Sequence, residues 1–209
     1  MSQKPDISKA NICPPCPADA STWDKLVYWL GIGLGSGLPK RAPGTWGTLG
    51  GLVIALPMMA FGFVPFLIIT VLACIFGVYI CGHTSKLMNV HDDPHIVWDE
   101  WVGMWIALLP VVYIEFPQKI LQSWNDSFFI SLFSSLLFFL FVAFTIFRFF
   151  DIMKPFPISW LDKRVSGGFG IMIDDIIAGI IAIPFFIIIC WFSIALFNMN
   201  EFIVSYGLL

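Results

Sequence analysis

Arg148-Phe-Phe-Asp-Ile-Met-Lys-Pro-Phe-Pro-Ile158, followed closely by Gly167-Gly-Phe-Gly-Ile-Met-Ile-Asp-Asp-Ile-Ile-Ala-Gly179, decides the fold, because these stretches separate two long apolar segments. They contain most of the polar groups in their half of the chain. Charged side chains at the edge of a hydrocarbon slab are costly and are usually retained for a function. The two prolines end one apolar helix, and the paired acids Asp174 and Asp175 open the next. The pattern predicts a polar site between membrane helices.

Composition indicates a membrane protein of one domain. Hydrophobic residues make up 58% and charged residues 12% of the 209 residues, whereas a soluble domain has about 25% charged residues. The three His and five Cys are too scattered to predict a zinc site. We expect an all-α, polytopic helical bundle. The bundle is expected to contact the lipid bilayer and to bind no nucleic acid, and the sequence gives no indication of a protein partner.

About five apolar segments are long enough, alone or with their flanks, to be membrane segments. They are residues 46–61, 64–81, 97–114, 128–149 and 171–197. Five crossings place every Lys and Arg except Lys119 on one side of the bilayer, together with every polar cluster. By the positive-inside rule that side is the cytoplasm. Residues 46–61 are short for a span, so a segment that dips into the membrane and returns stays an alternative.

The ends of the chain differ from this apolar core. Residues 1–21 are Pro-rich and are predicted to be a disordered tail; their Cys13-Pro-Pro-Cys16 has no second pair that would complete a metal site. Residues 22–197 form the predicted membrane domain, and 198–209 a C-terminal tail. Ser21 or Thr22 can cap a short helix whose Trp residues favour the membrane interface.

A glycine-rich stretch precedes the first membrane segment and contains Lys40, Thr45 and Thr48. Glycines allow a close backbone approach to an anion, and a helix N-terminus offers free N–H groups. The stretch is therefore a candidate phosphate-binding loop, although a plain flexible loop has the same composition. It is not a Walker A loop, because no Gly-Lys-Ser or Gly-Lys-Thr closes it.

Asp99 and Glu100 lie in the first turn of the third membrane segment. Acids there are stabilised by the helix dipole, so capping is one interpretation. Both lie further into the helix than capping requires, and Gly103 one turn later allows a neighbouring helix to come close. We therefore favour a metal or catalytic role for the two acids.

The polar groups together predict metal-assisted phosphate chemistry. Five carboxylates are expected to lie close together, those of Asp99, Glu100, Asp151, Asp174 and Asp175. They cannot all ionise without a cation, and oxygen ligands favour a hard ion such as Mg²⁺. Nearby Lys and Arg can hold a phosphate, and such a site can hydrolyse a phosphoester. A substrate at the bilayer edge is expected to be a phospholipid.

Four motifs now carry a resemblance to a known family. The sequence from about residue 25 to 195 resembles phosphatidylglycerophosphatase A. The motifs are residues 39–51 (Pro-Lys-Arg-Ala-Pro-Gly-Thr-Trp-Gly-Thr-Leu-Gly-Gly), 93–103 (Asp-Pro-His-Ile-Val-Trp-Asp-Glu-Trp-Val-Gly), 147–158 and 167–179. The resemblance implies a Mg²⁺-dependent phosphatase of the bacterial inner membrane. It would convert phosphatidylglycerophosphate to phosphatidylglycerol and phosphate in glycerophospholipid biosynthesis.

Each candidate residue has a predicted role. The expected metal ligands are Asp99, Glu100, Asp174 and Asp175. One of these acids or Asp151 is expected to be the base that orients water, so the catalytic set is Asp99, Glu100, Asp151 and Asp175. The expected phosphate-binding residues are Lys40, Thr45, Thr48, Arg148 and Lys154.

Four other functions compete with this prediction. Another phospholipid phosphatase or a phosphotransferase would use the same site. A small polytopic transporter would place its ionisable groups near the bilayer midplane on interrupted helices, whereas these acids lie in first turns. A lipid-binding scaffold would not need so many clustered carboxylates.

Overall fold

The computed structural model describes residues 12–90, 93–114, 126–162 and 164–205, with side chains except at 126–135, 162 and 194–205. Within these residues the fold is all-α, as predicted, and contains no strand. The α-helices are α1 Thr22–Gly31, α2 Pro43–Met59, α3 Phe63–Met88, α4 Trp98–Ala107, α5 Leu109–Tyr113, α6 Asp126–Met153, α7 Ile158–Asp162 and α8 Gly167–Ser205.

Local chemistry explains where the first two helices begin. The Ser21 side chain caps α1 by accepting from the Asp24 N–H at 3.1 Å, and the Asp24 carboxylate accepts from the Ser21 N–H at 3.1 Å. This capping box confirms the predicted start of the helix. α2 begins at Pro43, earlier than the predicted segment, because proline suits the first helical position. Ala42 before it has the left-handed φ of 50° that turns the chain into the helix.

The predicted segment 97–114 is not one continuous helix. It is divided at Leu108 into α4 and α5. Pro110 has no N–H to donate to the Ile106 carbonyl, so the helix cannot continue unbroken through this position. The prediction of a single helix over this segment was therefore wrong.

In the part of the chain that the structure describes, three helices are long and apolar enough to cross a membrane, and they correspond to three of the five predicted segments. They are Phe63–Met88 in α3, Leu136–Met153 in α6 and Gly167–Ser193 in α8. Many of their large apolar side chains are exposed, such as Ile75 (63%), Phe141 (66%) and Ile188 (61%). Exposed apolar side chains on helices of this length and hydropathy are expected to contact lipid. α2, at 17 residues, and α4, at 10, are shorter than a full span.

α8 is the central helix of the bundle and packs against α3, α4, α6 and α7. Two glycines bring α4 and α8 together, as predicted for Gly103. A β-carbon on Gly103 would lie 2.8 Å from the Asp175 carbonyl oxygen, and one on Gly179 would lie 2.6 Å from the Gly103 carbonyl oxygen. Larger residues would force the helices apart. This close approach places the first turn of α4 beside Asp175. The prediction that Asp174 and Asp175 open the last helix was wrong, because α8 begins at Gly167, about two turns before them.

The described part of the N-terminal stretch lies against α1. The Tyr28 hydroxyl donates to the Pro14 carbonyl at 2.7 Å and lies 3.4 Å from the Cys13 sulfur. Cys13 and Cys16 are free thiols. Residues 1–11 and 206–209 lie outside the described residues, and the division into two tails and one domain stays a prediction.

Candidate active site

Three carboxylates from two helices come together beside the close contact of α4 and α8. Asp99 and Glu100 belong to the first turn of α4, and Asp175 to α8. One carboxylate oxygen from each lies within 4.8 Å of the others. Asp99 and Asp175 are buried, and Glu100 is half-buried. We call Asp99, Glu100 and Asp175 the carboxylate triad.

The carboxylate triad has the properties of a site for a hard cation. Among the described residues, the buried oxygens Glu100 Oε2 and Asp175 Oδ1 have no hydrogen-bond partner. Buried oxygens without partners are costly, and carboxylates at this range cannot all be ionised without a cation. No side-chain hydrogen bond caps α4 at Val97. The donor set of three carboxylates therefore fits Mg²⁺ better than it fits a capping role.

Arg148 of α6 extends to α2 beside the triad. Its Nη1 donates to Thr48 Oγ1 at 3.3 Å and pairs with the Asp151 carboxylate one turn along the same helix. Thr48 is fully buried, and its hydroxyl donates to the Gly44 carbonyl at 2.8 Å. Arg148 and Asp151 are each 14% exposed. The guanidinium is thus held in one place by an acid and a hydroxyl.

Gly44 was not among the predicted site residues, yet it forms one wall of the site. A β-carbon there would collide with Glu100 Oε1 and would lie 3.3 Å from Arg148 Nη1. The signal available in the sequence was a glycine directly after the proline that opens a helix. Only glycine allows the first turn of α2 to approach the acid and the guanidinium together.

Asp174 takes a different position from its neighbour Asp175. Its Oδ2 accepts a hydrogen bond from Lys154 Nζ at 2.5 Å, and the two side chains are 12% and 31% exposed. Lys154 follows the end of α6 with a left-handed φ of 39°, which turns it away from the helix axis. Of the four predicted metal ligands, the structure therefore groups three, and it places Asp174 in an ion pair beside them.

The remaining predicted residues are placed as follows. Asp151 is close enough to interact electrostatically with both Glu100 and Asp175. Lys40 is exposed, and among the described residues it forms no hydrogen bond or ion pair. Thr45 is half-buried in the first turn of α2, and the described residues provide no hydrogen bond for its hydroxyl. The structure thus pairs Arg148 and Lys154 with acids and Arg148 with Thr48, whereas the phosphate-binding roles of Lys40 and Thr45 stay predictions.

Comparison with known proteins fits this arrangement. The sequence model of the family described as PgpA: Phosphatidylglycerophosphatase A matches residues 29–190, which include every acid and base of the site. The chain belongs to the phosphatidylglycerophosphatase A family. It is therefore an enzyme that hydrolyses a phosphoric monoester.

Relatives of known name agree with the family. A phosphatidylglycerophosphatase A of Haemophilus influenzae is 41% identical over 158 residues, which are 75% of this chain and 84% of the relative. One of Escherichia coli is 39% identical over 155 residues, 74% of this chain and 78% of the relative. A Bacteroides thetaiotaomicron protein provisionally named a phosphatidylinositol-3-phosphatase is 30% identical, over 74% and 87% of the two chains. No solved structure matches the chain.

Proposed function

We propose that this protein is a Mg²⁺-dependent phosphatase that hydrolyses the terminal phosphate of phosphatidylglycerophosphate, giving phosphatidylglycerol and inorganic phosphate. The observation that carries the proposal is the carboxylate triad, whose oxygens lie within 4.8 Å of one another directly beside Arg148. The names of the H. influenzae and E. coli relatives support this substrate. The product phosphatidylglycerol gives the reaction a place in glycerophospholipid biosynthesis.

Asp99, Glu100 and Asp175 would hold the metal. When bound, Mg²⁺ supplies a Lewis acid that polarises a phosphoryl oxygen. Two of the three acids are buried and Glu100 is half-buried, so the triad interacts more strongly with bound charge than a surface cluster would. Three carboxylates from two helices also define one place for the reacting phosphate, because the contact between Gly103 and α8 fixes how far apart the helices lie.

Arg148 and Lys154 bind the reacting phosphate in this proposal. Arg148 presents a planar fork of donors that suits phosphate oxygens, and Thr48 and Asp151 fix its orientation. Lys154 adds a second positive charge from the end of α6. Developing negative charge on the phosphoryl group would then be stabilised by groups that are already in place.

Asp151 accepts the proton of the attacking water. It lies beside the triad without belonging to it, and its Oδ2 pairs with Arg148, so proton transfer falls to its other carboxylate oxygen. The water oxygen forms a bond to phosphorus while the bond to the glycerol oxygen breaks, and the proton that Asp151 accepted from the water passes to that leaving oxygen. The products are the lipid alcohol and inorganic phosphate.

We further propose five membrane segments with the site facing the cytoplasm, in the bacterial inner membrane. The Tyr113 ring at the end of α5 packs against Phe63 at the start of α3, with ring centroids 5.2 Å apart. α4 and α5 therefore run from the site end of the bundle to its other end, which supports a fourth segment. α2 runs from Gly44 at the site to Met59, close to the same Phe63, and supports a fifth.

The short helix α1 is proposed to lie in the interface on the cytoplasmic side. Its Trp23 and Trp29 are 58% and 48% exposed, whereas Val27 and Tyr28 face the protein. Amphipathic indole rings are enriched at the level of lipid head groups. The distribution of Lys and Arg supports placing that side in the cytoplasm.

The test is phosphate release by the purified full-length protein from phosphatidylglycerophosphate in non-ionic detergent micelles. We expect release in Mg²⁺, loss of release in EDTA, and recovery when Mg²⁺ is restored. Release that continues unchanged in EDTA would overturn the metal assignment. No release in Mg²⁺ would overturn the proposed reaction and favour a transporter or a scaffold.

A further inference from the structure

We propose that Lys40 and Arg41 form a second anion subsite, which binds the phosphodiester of the substrate while Arg148 and Lys154 bind its terminal phosphate. The inference rests on the proposed function, because it needs a lipid with two phosphates. Phosphatidylglycerophosphate has a terminal phosphomonoester and an inner phosphodiester separated by one glycerol unit. The inner phosphate distinguishes it from a lipid such as phosphatidate, which has a single phosphate.

The basic side chains around the site differ in whether an acid pairs with them. Arg148 is engaged with Thr48 and Asp151, and Lys154 with Asp174, so both are oriented toward the acid cluster. Lys40 and Arg41 differ from them. They are adjacent in the sequence and exposed, and no acid among the described residues pairs with either. Two neighbouring positive charges without a counter-ion fit an anionic ligand.

Lys40 and Arg41 lie close to Gly44 along the chain. The chain passes from Arg41 through Ala42 and Pro43 directly to Gly44, which touches Glu100 and Arg148. Consecutive Cα atoms lie 3.8 Å apart, so the Cα atom of Arg41 lies within about 11 Å of that of Gly44, and that of Lys40 within about 15 Å. Both residues have long flexible side chains. An anion one glycerol unit away from the reacting phosphate is therefore within their reach.

The residues on either side of Lys40 and Arg41 have exposed apolar side chains. Leu38 and Trp46, on either side of the pair, are 44% and 52% exposed. Exposed indole and aliphatic side chains around two cations are typical of the membrane–water interface. The phosphodiester of a lipid whose acyl chains lie in the bilayer is found at this level. A general attraction to anionic lipids is the competing explanation, and the experiment has to separate the two.

The experiment measures substrate preference in micelles of a non-ionic detergent, which remove the field of an anionic bilayer. The full-length protein and its Lys40→Gln/Arg41→Gln variant are compared for kcat/KM on phosphatidylglycerophosphate and on phosphatidate. Charge-assisted hydrogen bonds at an exposed site support a factor of about ten. We expect the preference for the lipid with two phosphates to fall about tenfold in the variant, mainly through KM.

A product-inhibition measurement isolates the subsite from the reacting phosphate. Phosphatidylglycerol keeps the phosphodiester but has no phosphomonoester. Its inhibition constant should rise about tenfold in the variant, because hydrogen bonds to the diester are lost. This measurement also serves if wild type turns over phosphatidate too slowly to measure.

Two further variants control for charge and for folding. Lys25→Gln/Lys86→Gln removes two other exposed positive charges and should leave the preference and the inhibition constant at wild-type values. Lys40→Arg/Arg41→Lys keeps both charges and should retain most of the preference.

An equal loss on both lipids, or an unchanged inhibition constant for phosphatidylglycerol, would overturn the second subsite while leaving the proposed reaction intact. An equal effect of the Lys25/Lys86 variant would overturn it in favour of general attraction to anionic lipids. Failure of wild type to release phosphate from phosphatidylglycerophosphate would instead refute the proposed function itself.

Discussion

Gly44 and Glu100 lie in direct contact, and a β-carbon at Gly44 would occupy the space of the Glu100 carboxylate. This contact joins the glycine-rich loop to the carboxylate triad. It also places the first turn of α2, where the Thr45 and Trp46 N–H groups donate to the Ala42 carbonyl, at the edge of the site. The wall of the site is thus backbone on one side and acid on the other.

Gly44→Ala should lower kcat about 100-fold, because the new methyl group has to move Glu100 or α2, and displacements of about 1 Å in an active site have effects of this size. Steady-state phosphate release measures the effect. The matched control is Gly50→Ala in the same helix, where the methyl group would press on Ser36 outside the acid cluster. The control should lose stability but keep its kcat. Equal losses of kcat in both variants would refute a specific role for the contact.

Arg148→Lys tests whether the guanidinium fork matters beyond its charge. Lysine cannot contact Thr48, Asp151 and a phosphate with one planar group. We expect kcat to fall about 10-fold in Arg148→Lys and about 100-fold in Arg148→Ala, within the range for removing a donor from a preorganised site. Thr48→Val should act in the same direction, because it removes the hydroxyl that accepts from Nη1. Full activity in Arg148→Lys would show that only the charge is needed.

The sequence was sufficient for the helical class, the membrane character, the family and three of the membrane helices. These features depend on long apolar runs and on motifs whose residues are read directly. The division at Leu108 was not predicted, although Pro110 was visible. Proline disfavours a continuous helix, but the surroundings of the helix decide between a kink and a break.

The different positions of the neighbouring acids Asp174 and Asp175 could not be predicted from the sequence, for a geometric reason. Adjacent residues on a helix point about 100° apart, given 3.6 residues per turn, so Asp174 and Asp175 can face different partners. Asp175 faces α4, and Asp174 faces Lys154. The choice between them depends on how α8 is rotated against its neighbours, and that rotation follows from packing contacts such as Gly103 with Gly179. Lys40 could not be placed either, because no apolar periodicity extends through its loop.

Asp24 should make the stability of the folded protein depend on pH. Hydrogen bonds from Ser21 and the contact with His83, at 2.7 Å, hold the pKa of Asp24 below its usual value of 3.8. A lowered pKa in the folded state stabilises the protein above pH 3.8, and this contribution is lost as the pH falls through the folded-state value. Asp24→Asn should therefore melt below wild type at pH 7, and the difference should shrink below pH 3.8. A difference that stays constant with pH would contradict this, and Asp19→Asn, an exposed acid, is the control.

Asp175→Asn should raise the stability of the metal-free protein and lower the stabilisation that metal binding adds. These opposite changes separate folding from metal binding. Without metal, the buried acids repel one another, so removing one charge should raise the melting temperature in EDTA. With metal, wild type gains the free energy of binding. At 100 times the dissociation constant this is about 2.7 kcal/mol, or about 5–10 °C for a chain of this size. The variant should gain much less from Mg²⁺, and its kcat should fall at least about 100-fold.

Thermal unfolding of wild type, Asp175→Asn and Asp19→Asn in detergent, each in EDTA and in Mg²⁺, measures all of these differences. Asp19 is exposed and lies outside the cluster, so its variant should follow wild type in both conditions. A purely structural role for Asp175 predicts another pattern, in which Asp175→Asn is less stable than wild type in EDTA and gains as much from Mg²⁺ as wild type does. That pattern would remove Asp175 from the metal site, because loss of a ligand has to reduce the stabilisation that the metal provides.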